Sequence, residues 1–441
     1  MFFFSLLKSR LSCHLRCCEK QYLLVNNTIP KATAKADLNF IVGELQRCHM
    51  LKQYHGHYKI NTKCSNSLNK FLKKFVKRNM TDPFPDIQKI IDGFIPAKYT
   101  QTRNFENGSC TALSAFVSRG IISTSWIFNA IQARGHALKD CLGILQQLTW
   151  RDYFQRLLQN NPDLHLKAMY AEPKGFSRAG LPAALINGKT QITAIDRAIH
   201  NLYQQGHIHN HLRLYIASCM CNIAKSKWQD GARWMYYYLK DADVASNFAS
   251  WQWVSGASRE KKYFANQTNI NMFCFTQDHK TFLDFPIEQF PLQHIPKNLD
   301  SLCFPEYPLH MPQFRPLQLR VDVPICIYTP YNLDPQWRQE QAYNRILFFD
   351  FELLQRFPMS LQSLEFIISQ ALKINAMQFF YGTAAQLQQY ISNFIYYQKE
   401  HPIFNITGAR TDSRDWLFPE VTEVKGSFFK YWNTALRKYK L

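Results

Sequence analysis

The stretch 206–253 reads GHIHNHLRLYIASCMCNIAKSKWQDGARWMYYYLKDADVASNFASWQW and brings together residue types that an ordinary protein core does not need side by side. It combines an arginine on a helical pattern, a pair of acids, an amide and two closely spaced indoles. The side chains concerned are Arg213, Asp241, Asp243, Asn247, Trp251 and Trp253. A site that holds a large planar heterocycle would use such a set.

The composition predicts a globular protein with many aromatic rings. The 441 residues have room for two or three domains, and hydrophobic residues make up 46% of them. No apolar run approaches the roughly 18–20 residues that a membrane span requires. The 12 cysteines lack the spacing of a disulfide framework or a metal site, so we expect reduced thiols, no metal and a cytoplasmic protein.

The net charge of +20 is unevenly distributed. Residues 1–80 hold 15 Lys and Arg against three acids, and 69–78 (NKFLKKFVKR) have apolar residues at helical spacing. Such a basic segment attracts polyanions by counterion release. It is also typical of a solvated arm or of a helix that docks on its own protein, and its fold stays uncertain.

The remaining chain is predicted to be mainly α, with three segments. Residues 81–279 have helical periodicity, interrupted by polar or glycine-bearing breaks that include Gly231, and predict an all-α domain. Residues 280–322 are Pro-rich and predict an extended linker. Residues 323–441 predict a small α/β layer, because buried strands at 324–329, 345–350, 377–382 and 401–407 alternate with helices.

Three local patterns in the helical segment have both a structural and a functional interpretation. Ser109, Thr111 and Ser114 fall where a helix would begin, which suits either a phosphate or ordinary N-capping. Trp150-Arg151 lies on a helix, where packing plus a surface charge is the usual explanation. Arg213 and Asp241 suit a buried pair, which is often purely structural.

Taken together and in order, these blocks resemble the photolyase/cryptochrome flavoproteins. The blocks are YTQTRNF (99–105), CTALSAFVSRGIIS (110–123), LTWRDYF (148–154) and the stretch from 188 through Trp253. The likeness covers roughly residues 85–275, which correspond to the FAD-binding helical domain of that family. It implies that FAD is the cofactor and that the fold of this segment is photolyase-like.

The resemblance also implies roles for individual residues. Contacts to FAD are implied for Tyr99, Cys110, Thr111, Ala112, Leu113, Ser114, Arg151, Arg213, Asp241, Ala242, Asp243 and Asn247. Contacts to DNA or to its lesion are implied for Arg103, Gln147, Trp150, Asn210, His211 and Trp253, with the two indoles of Trp150 and Trp253 holding a flipped-out pyrimidine dimer. Trp251 and Trp228 correspond to two electron-relay residues, while the third relay residue stays unassigned. Asn247 corresponds to the family residue that faces the reactive flavin nitrogen.

The implied function is light-driven repair of pyrimidine dimers in DNA by electron transfer from reduced flavin, carried out by a monomer. Three departures from the family pattern, His207, His211 and Gln147, keep open a blue-light photoreceptor that binds FAD without repair. The class of lesion also stays open. The small α/β segment follows the FAD domain, whereas the family places its α/β antenna domain before it, and whether an antenna chromophore binds stays open.

Overall fold

The computed structural model describes residues 83–175, 178–292, 294–312, 314–424 and 426–441. The basic segment 1–80 and the helix predicted at 69–78 lie outside these residues. Residues 79–441 form one compact unit, so the helical and α/β segments are not separated by a free linker. Within the described ranges, no helix combines the length and the apolarity that crossing a bilayer needs.

Eleven helices within residues 83–274 form a helical layer. They are α1 (Pro83–Gly93), α2 (Pro96–Thr102), α3 (Ser114–Ser118), α4 (Thr124–Gln132), α5 (Leu138–Asn160), α6 (Ala183–Ile186), α7 (Thr193–Gln205), α8 (Asn210–Ser218), α9 (Trp228–Tyr238), α10 (Val244–Ser255) and α11 (Gln267–Cys274). Helix α7 shows why they form: its stripe Ile195, Ile199 and Leu202 is fully buried, and Gly206 ends the helix at φ 65°.

Gly231 does not interrupt a helix, so that prediction is wrong. It lies inside α9, where a Cβ atom at this position would lie 2.2 Å from Cζ3 of Trp251. The glycine therefore serves close packing, because it lets the Trp251 indole rest directly against the α9 backbone. Trp251 and the neighbouring Trp228 are only 2% and 1% exposed and form part of the core.

The Pro-rich segment packs on the helical layer. It contains two 3-10 turns, Ile287–Leu292 and Lys297–Leu299, and the short strand β2 (Leu302–Cys303). Strand β2 pairs antiparallel with β1 (Leu181–Pro182), which lies between α5 and α6. The segment predicted to be all-α therefore contains one short strand, and the prediction holds only for its helices.

A parallel sheet of five strands follows, in the order β5-β4-β3-β6-β7. Its elements are β3 (Ile325–Tyr328), β4 (Asn344–Asp350), α12 (Phe351–Arg356), α13 (Leu361–Ala371), β5 (Met377–Gly382), α14 (Ala384–Ile391), β6 (Tyr396–Lys399), β7 (Arg410–Asp412) and α15 (Phe428–Tyr439). The strand predicted at 401–407 is wrong. Pro402 cannot donate to a ladder, so strand β6 ends at Lys399 and the chain turns at His401–Phe404.

The carboxyl edge of the sheet faces the helical layer. The strand order reverses between β3 and β6, and such a reversal opens a crevice beyond the strand ends. Three hydrogen bonds join its rim to the helices: Leu333 N to Arg119 O at 2.9 Å, Arg414 Nη1 to Gln155 Oε1 at 2.6 Å, and Leu417 N to Asp152 Oδ2 at 2.8 Å. The sheet is thereby fixed against α3 and α5.

Candidate functional site

A buried ion pair joins α8 to the turn after α9. Arg213 Nη2 donates to both carboxylate oxygens of Asp241, at 3.0 and 2.8 Å, and Arg213 Nε donates to Ile208 O at 2.9 Å. Burial alone would raise the pKa of Asp241, but the adjacent Arg213 guanidinium lowers it to about 2. Asp241 is therefore ionised at neutral pH, and the guanidinium is held in a fixed orientation.

Asp243 stands where α5, α10 and the sheet edge meet. It caps α10, since Oδ1 accepts from Ser246 N at 2.6 Å, and Oδ2 accepts from Gln155 Nε2 at 2.5 Å. Arg151 Nη2 lies 3.6 Å from the same Oδ2. Burial opposes ionisation, but Arg151 and the Ser246 hydrogen bonds hold the pKa of Asp243 below its usual range.

Ser118 connects these two acidic positions, although the sequence did not single it out. Its Oγ donates to Asp241 O at 2.7 Å and accepts from Arg151 Nη2 at 3.0 Å. The side chain of Ser114, on the same short helix, donates to the Asp241 carboxylate. Helix α3 therefore places two hydroxyls between the guanidinium of Arg151 and the Asp241 ion pair.

The segment 110–114, for which phosphate-side contacts were expected, precedes a helix of only five residues. Leu113 is buried at its start, and no side chain caps the helix, so neither ordinary N-capping nor a helix-terminus anion site describes it. Ala112 has φ 54°, a left-handed conformation that a residue with a Cβ adopts at a cost of about 1 kcal/mol. Such strain is typical of functional loops.

Tyr99 and Cys110 lie beside Arg103 at one end of this loop. Burial raises the pKa of Tyr99 to about 12, which the charge of Arg103 partly offsets. Cys110 Sγ lies 3.8 Å from His209 Nε2. The structure thus groups two residues expected to contact FAD with one expected to contact DNA.

The other residues expected to contact DNA lie near the start of α8 and on α5. Asn210 is exposed as the first residue of α8, where His209 accepts from His211 N at 3.3 Å. His211 contacts Asn104 O through Nδ1 at 3.0 Å and packs on the Phe273 ring at 4.8 Å. Gln147 is half-buried on α5.

Trp150 and Trp253, the two indoles expected to hold a lesion, each have an intramolecular partner. Trp150 stacks on Phe428 of α15 with ring centroids 3.6 Å apart and planes 8° apart. Trp253 is half-exposed on α10, with the Arg259 guanidinium 4.2 Å from its ring centroid and the Tyr263 ring at 5.5 Å. One flat face of Trp150 is therefore covered by the chain itself.

Asn247 and the two expected relay indoles lie in the core between α9 and α10. Asn247 Nδ2 donates to Ala232 O at 2.8 Å, which leaves its carbonyl oxygen for another group. Trp228 Nε1 donates to Glu172 Oε2 at 3.4 Å. Ala242, between the two acids, is buried.

The donor set around Asp241 and Asp243 fits a polar, negatively charged cofactor. Arg119 is fully buried, its Nε donates to Lys240 O at 3.0 Å, and both its Nη atoms lack a partner in the described part of the chain. Ser246 Oγ is also buried without a partner there. Buried donors of this kind call for an acceptor. The sequence analysis did not identify Arg119, because an arginine at the end of an apolar helix is usually interpreted as an exposed charge.

The crevice at the sheet edge is a different space. It is partly open to solvent and is lined by Arg151, Asn332 and His401 among others.

Comparison with known proteins gives matches over part of the chain. Residues 144–286 match the family described as the FAD binding domain of DNA photolyase. A deoxyribodipyrimidine photo-lyase of Agrobacterium fabrum is 29% identical over 190 residues, which are 42% of this chain and 40% of the relative. A cryptochrome DASH of Danio rerio is 26% identical over 174 residues, 38% of this chain and 34% of the relative.

Among solved structures, a bacterial class III photolyase from Agrobacterium tumefaciens is 27% identical, with 46% of this chain and 44% of that chain covered and a TM-score of 0.39. The chain thus spans about two fifths of the length of the first curated relative. The family match ends at residue 286, so it does not include the five-stranded sheet. The matched segment contains Arg151, Arg213, Asp241, Asp243 and Asn247.

Proposed function

We propose that this chain, whose residues 144–286 match the FAD binding domain of DNA photolyase, binds FAD and repairs pyrimidine dimers in DNA under blue light. The Arg213–Asp241 ion pair is the observation that carries the proposal. Three hydrogen bonds hold the half-buried Arg213 and the buried Asp241, and the buried Asp243 and Asn247 follow on the same stretch of chain. A purely structural pair would not need this neighbouring acid and amide.

The residues of the chain hold and tune the cofactor. Arg213, fixed by Asp241, presents a positive charge that stabilises a negatively charged ring. Arg119 offers two buried Nη donors, and Ser114 and Ser118 position the polar groups between α3 and Asp241. Asn247 offers its carbonyl oxygen. When bound, FAD supplies the light absorption and the electron that the reaction needs.

The DNA side would be formed by exposed or half-exposed groups at the ends of α2, α8 and α10. Trp253 is half-exposed, and Arg259 lies against its ring, so a base could stack there with a cation close by. Arg103 and Asn210 line the same end of the helical layer as His209. The charge of +20 favours a polyanionic partner.

The test begins with the absorbance spectrum of the purified full chain, followed by a repair assay. A dimer-containing oligonucleotide is incubated with protein whose flavin has been reduced chemically, in blue light and in the dark. We expect bound flavin and loss of the lesion in the light sample alone. Absence of flavin, or equal lesion content in light and dark, would contradict the proposal.

A blue-light photoreceptor is the second candidate, and a specific observation favours it. Phe428 stacks on one face of Trp150, and His211 stands where the family pattern has an arginine. A protein that only senses light binds no lesion, so it needs neither an uncovered Trp150 ring nor an arginine at position 211. Bound flavin that changes its spectrum in light, together with no loss of dimers, would support this candidate over repair.

A further inference from the structure

Three phenylalanine rings form a cluster at the end of α11, which we call the Phe275 cluster (Phe105, Phe273 and Phe275). The centroid of the Phe105 ring lies 5.0 Å from that of Phe273 and 5.8 Å from that of Phe275, and the planes of the last two rings differ by 29°. Phe275 is 61% exposed, and the nearby Met272 is 53% exposed. Phe105 is half-buried and supports the exposed ring of Phe275.

Phe275 is an unusual residue for the end of a helix. It follows Cys274 with φ 56° and ψ 42°, the left-handed conformation that glycine or asparagine usually provides at this position. A residue with a Cβ atom adopts this conformation only with steric strain. Leaving a large apolar ring in water is also unfavourable. Ending the helix requires neither, so the exposed ring points to a contact with another molecule.

Contacts of the backbone hold the Phe275 cluster in place. Glu106 N donates to Phe273 O at 2.9 Å, which ties the loop that carries Phe105 to α11. Arg197 Nη2 donates to Cys274 O at 3.3 Å, and Arg197 Nε donates to Glu106 Oε1 at 3.1 Å, which compensates the charge of this acid. The rings are therefore preorganised, and little conformational entropy is lost when a flat group binds to them.

The Phe275 cluster adjoins the DNA side of the proposed function. The His211 ring packs on the Phe273 ring at 4.8 Å, and His211 Nδ1 lies 3.0 Å from Asn104 O. Arg103 precedes Phe105 by two residues, and burial together with the charge of Arg103 lowers the pKa of His211. Proteins bind unpaired nucleotides with this combination, in which a cation attracts the phosphate and an aromatic ring stacks on the base.

We propose that Phe275, supported by Phe105, stacks on an unpaired base of the DNA strand, so that this chain prefers lesions in single-stranded DNA. The inference rests on the proposed function, because it takes DNA as the ligand, and it adds the strandedness of the substrate. In a duplex, each base stacks on its neighbours and its flat faces are not available. An unpaired base exposes a face to the ring.

Substitution of Phe275 tests the platform. Phe275→Asn removes the ring and supplies a residue that readily adopts the left-handed conformation, so α11 should end as in the parent. Phe304→Asn is the matched control, because Phe304 is 71% exposed but follows β2 and packs against Gly180, outside the Phe275 cluster. Fluorescence anisotropy measures the affinity for an undamaged single-stranded oligonucleotide and for the duplex of the same sequence.

We expect the parent to bind the single strand more tightly than the duplex. Stacking of one base contributes about 1–3 kcal/mol, so Phe275→Asn should weaken binding of the single strand about five- to 150-fold. Its binding of the duplex should not change, and Phe304→Asn should bind both forms like the parent. Equal affinity of Phe275→Asn and the parent for the single strand, with equal thermal melts, would overturn the platform.

Crosslinking of the parent protein gives a second readout that needs no variant. A single strand containing 5-iodouracil is irradiated in the complex, which joins the base to an aromatic ring on which it stacks, and mass spectrometry identifies the peptide. We expect a crosslink at Phe275, and crosslinks at other residues alone would overturn the inference. Loss of the lesion in light by the parent, together with either contrary result, would leave the proposed function standing. A parent that binds neither form of DNA would contradict both.

Discussion

Replacing Asp241 by Asn tests whether the buried ion pair holds the helical layer together. The substitution keeps the shape of the side chain and removes its charge, which leaves Arg213 without its counter-ion. Removing one member of a buried pair costs about 3–5 kcal/mol. The Arg213 side chain is 21% exposed, so water screens part of the loss.

The pKa of Asp241 gives an independent magnitude. A carboxyl whose pKa falls from 3.8 to about 2 on folding is stabilised by about 2 kcal/mol in its ionised form. Together the two values predict a loss of about 2–3 kcal/mol in the free energy of unfolding at pH 7. Because the pKa is lowered in the folded state, the contribution is complete above about pH 4 and disappears as the pH falls toward 2.

Urea unfolding followed by far-ultraviolet circular dichroism measures this loss, at pH 7 and at steps down to pH 2. Asp163→Asn is the matched control, since Asp163 forms an exposed pair with Lys167 one helical turn away, and its midpoint should not move. A loss below about 0.5 kcal/mol in Asp241→Asn would refute the reasoning. So would a difference from the parent that persists unchanged at pH 2.

Four further outcomes are expected. Gly231→Ala should lower the unfolding free energy by about 1–3 kcal/mol in thermal melts, because the new methyl group meets the Trp251 ring, and an unchanged melt would contradict that packing. Asp243→Ala should lower the flavin-to-protein absorbance ratio after purification, and full occupancy would remove it from the cofactor site. Trp253→Ala should weaken binding of dimer-containing DNA by about 1–3 kcal/mol with FAD retained, and equal affinity would exclude stacking there. Burial and the charge of a nearby arginine lower the pKa of His401, so the free energy of unfolding should fall by up to about 1 kcal/mol per pH unit below about pH 6.5. His401→Phe should remove this part of the dependence of the unfolding free energy on pH.

The spacing of apolar residues predicted the secondary structure correctly where an element's pattern is local in sequence. The stripe of α7 and the runs that form β3 and β4 were identified because each buries a set of apolar residues. Strand β5 was identified from its apolar run, although most of its residues are half-buried. Strand β6 was missed because its residues continue the helical spacing of the segment before it. Strand β7 is short and exposed, so it has no apolar run that would predict a strand.

The candidate site depended on information of another kind. The resemblance indicated Arg213 and Asp241, and the structure joins them, but neither periodicity nor composition could show that Ser118 bridges them to Arg151. The stack of Phe428 on Trp150 joins residues 278 positions apart, and no local pattern encodes such a contact. Long-range pairings of this kind arise from tertiary packing alone.

The meeting of the sheet edge with Asp243 has a consequence for how the protein is made. The helical layer ends at Cys274, yet Arg414 contacts Gln155 beside this carboxylate, and Phe428 covers Trp150. Domains on the ribosome fold as their residues emerge, at about 5–20 residues per second. After Cys274 has been added, about eight to thirty seconds pass before Phe428 is available. During that interval the nascent helices expose acids and indoles that only later residues enclose, which makes this the period when a chaperone or an early cofactor has most effect.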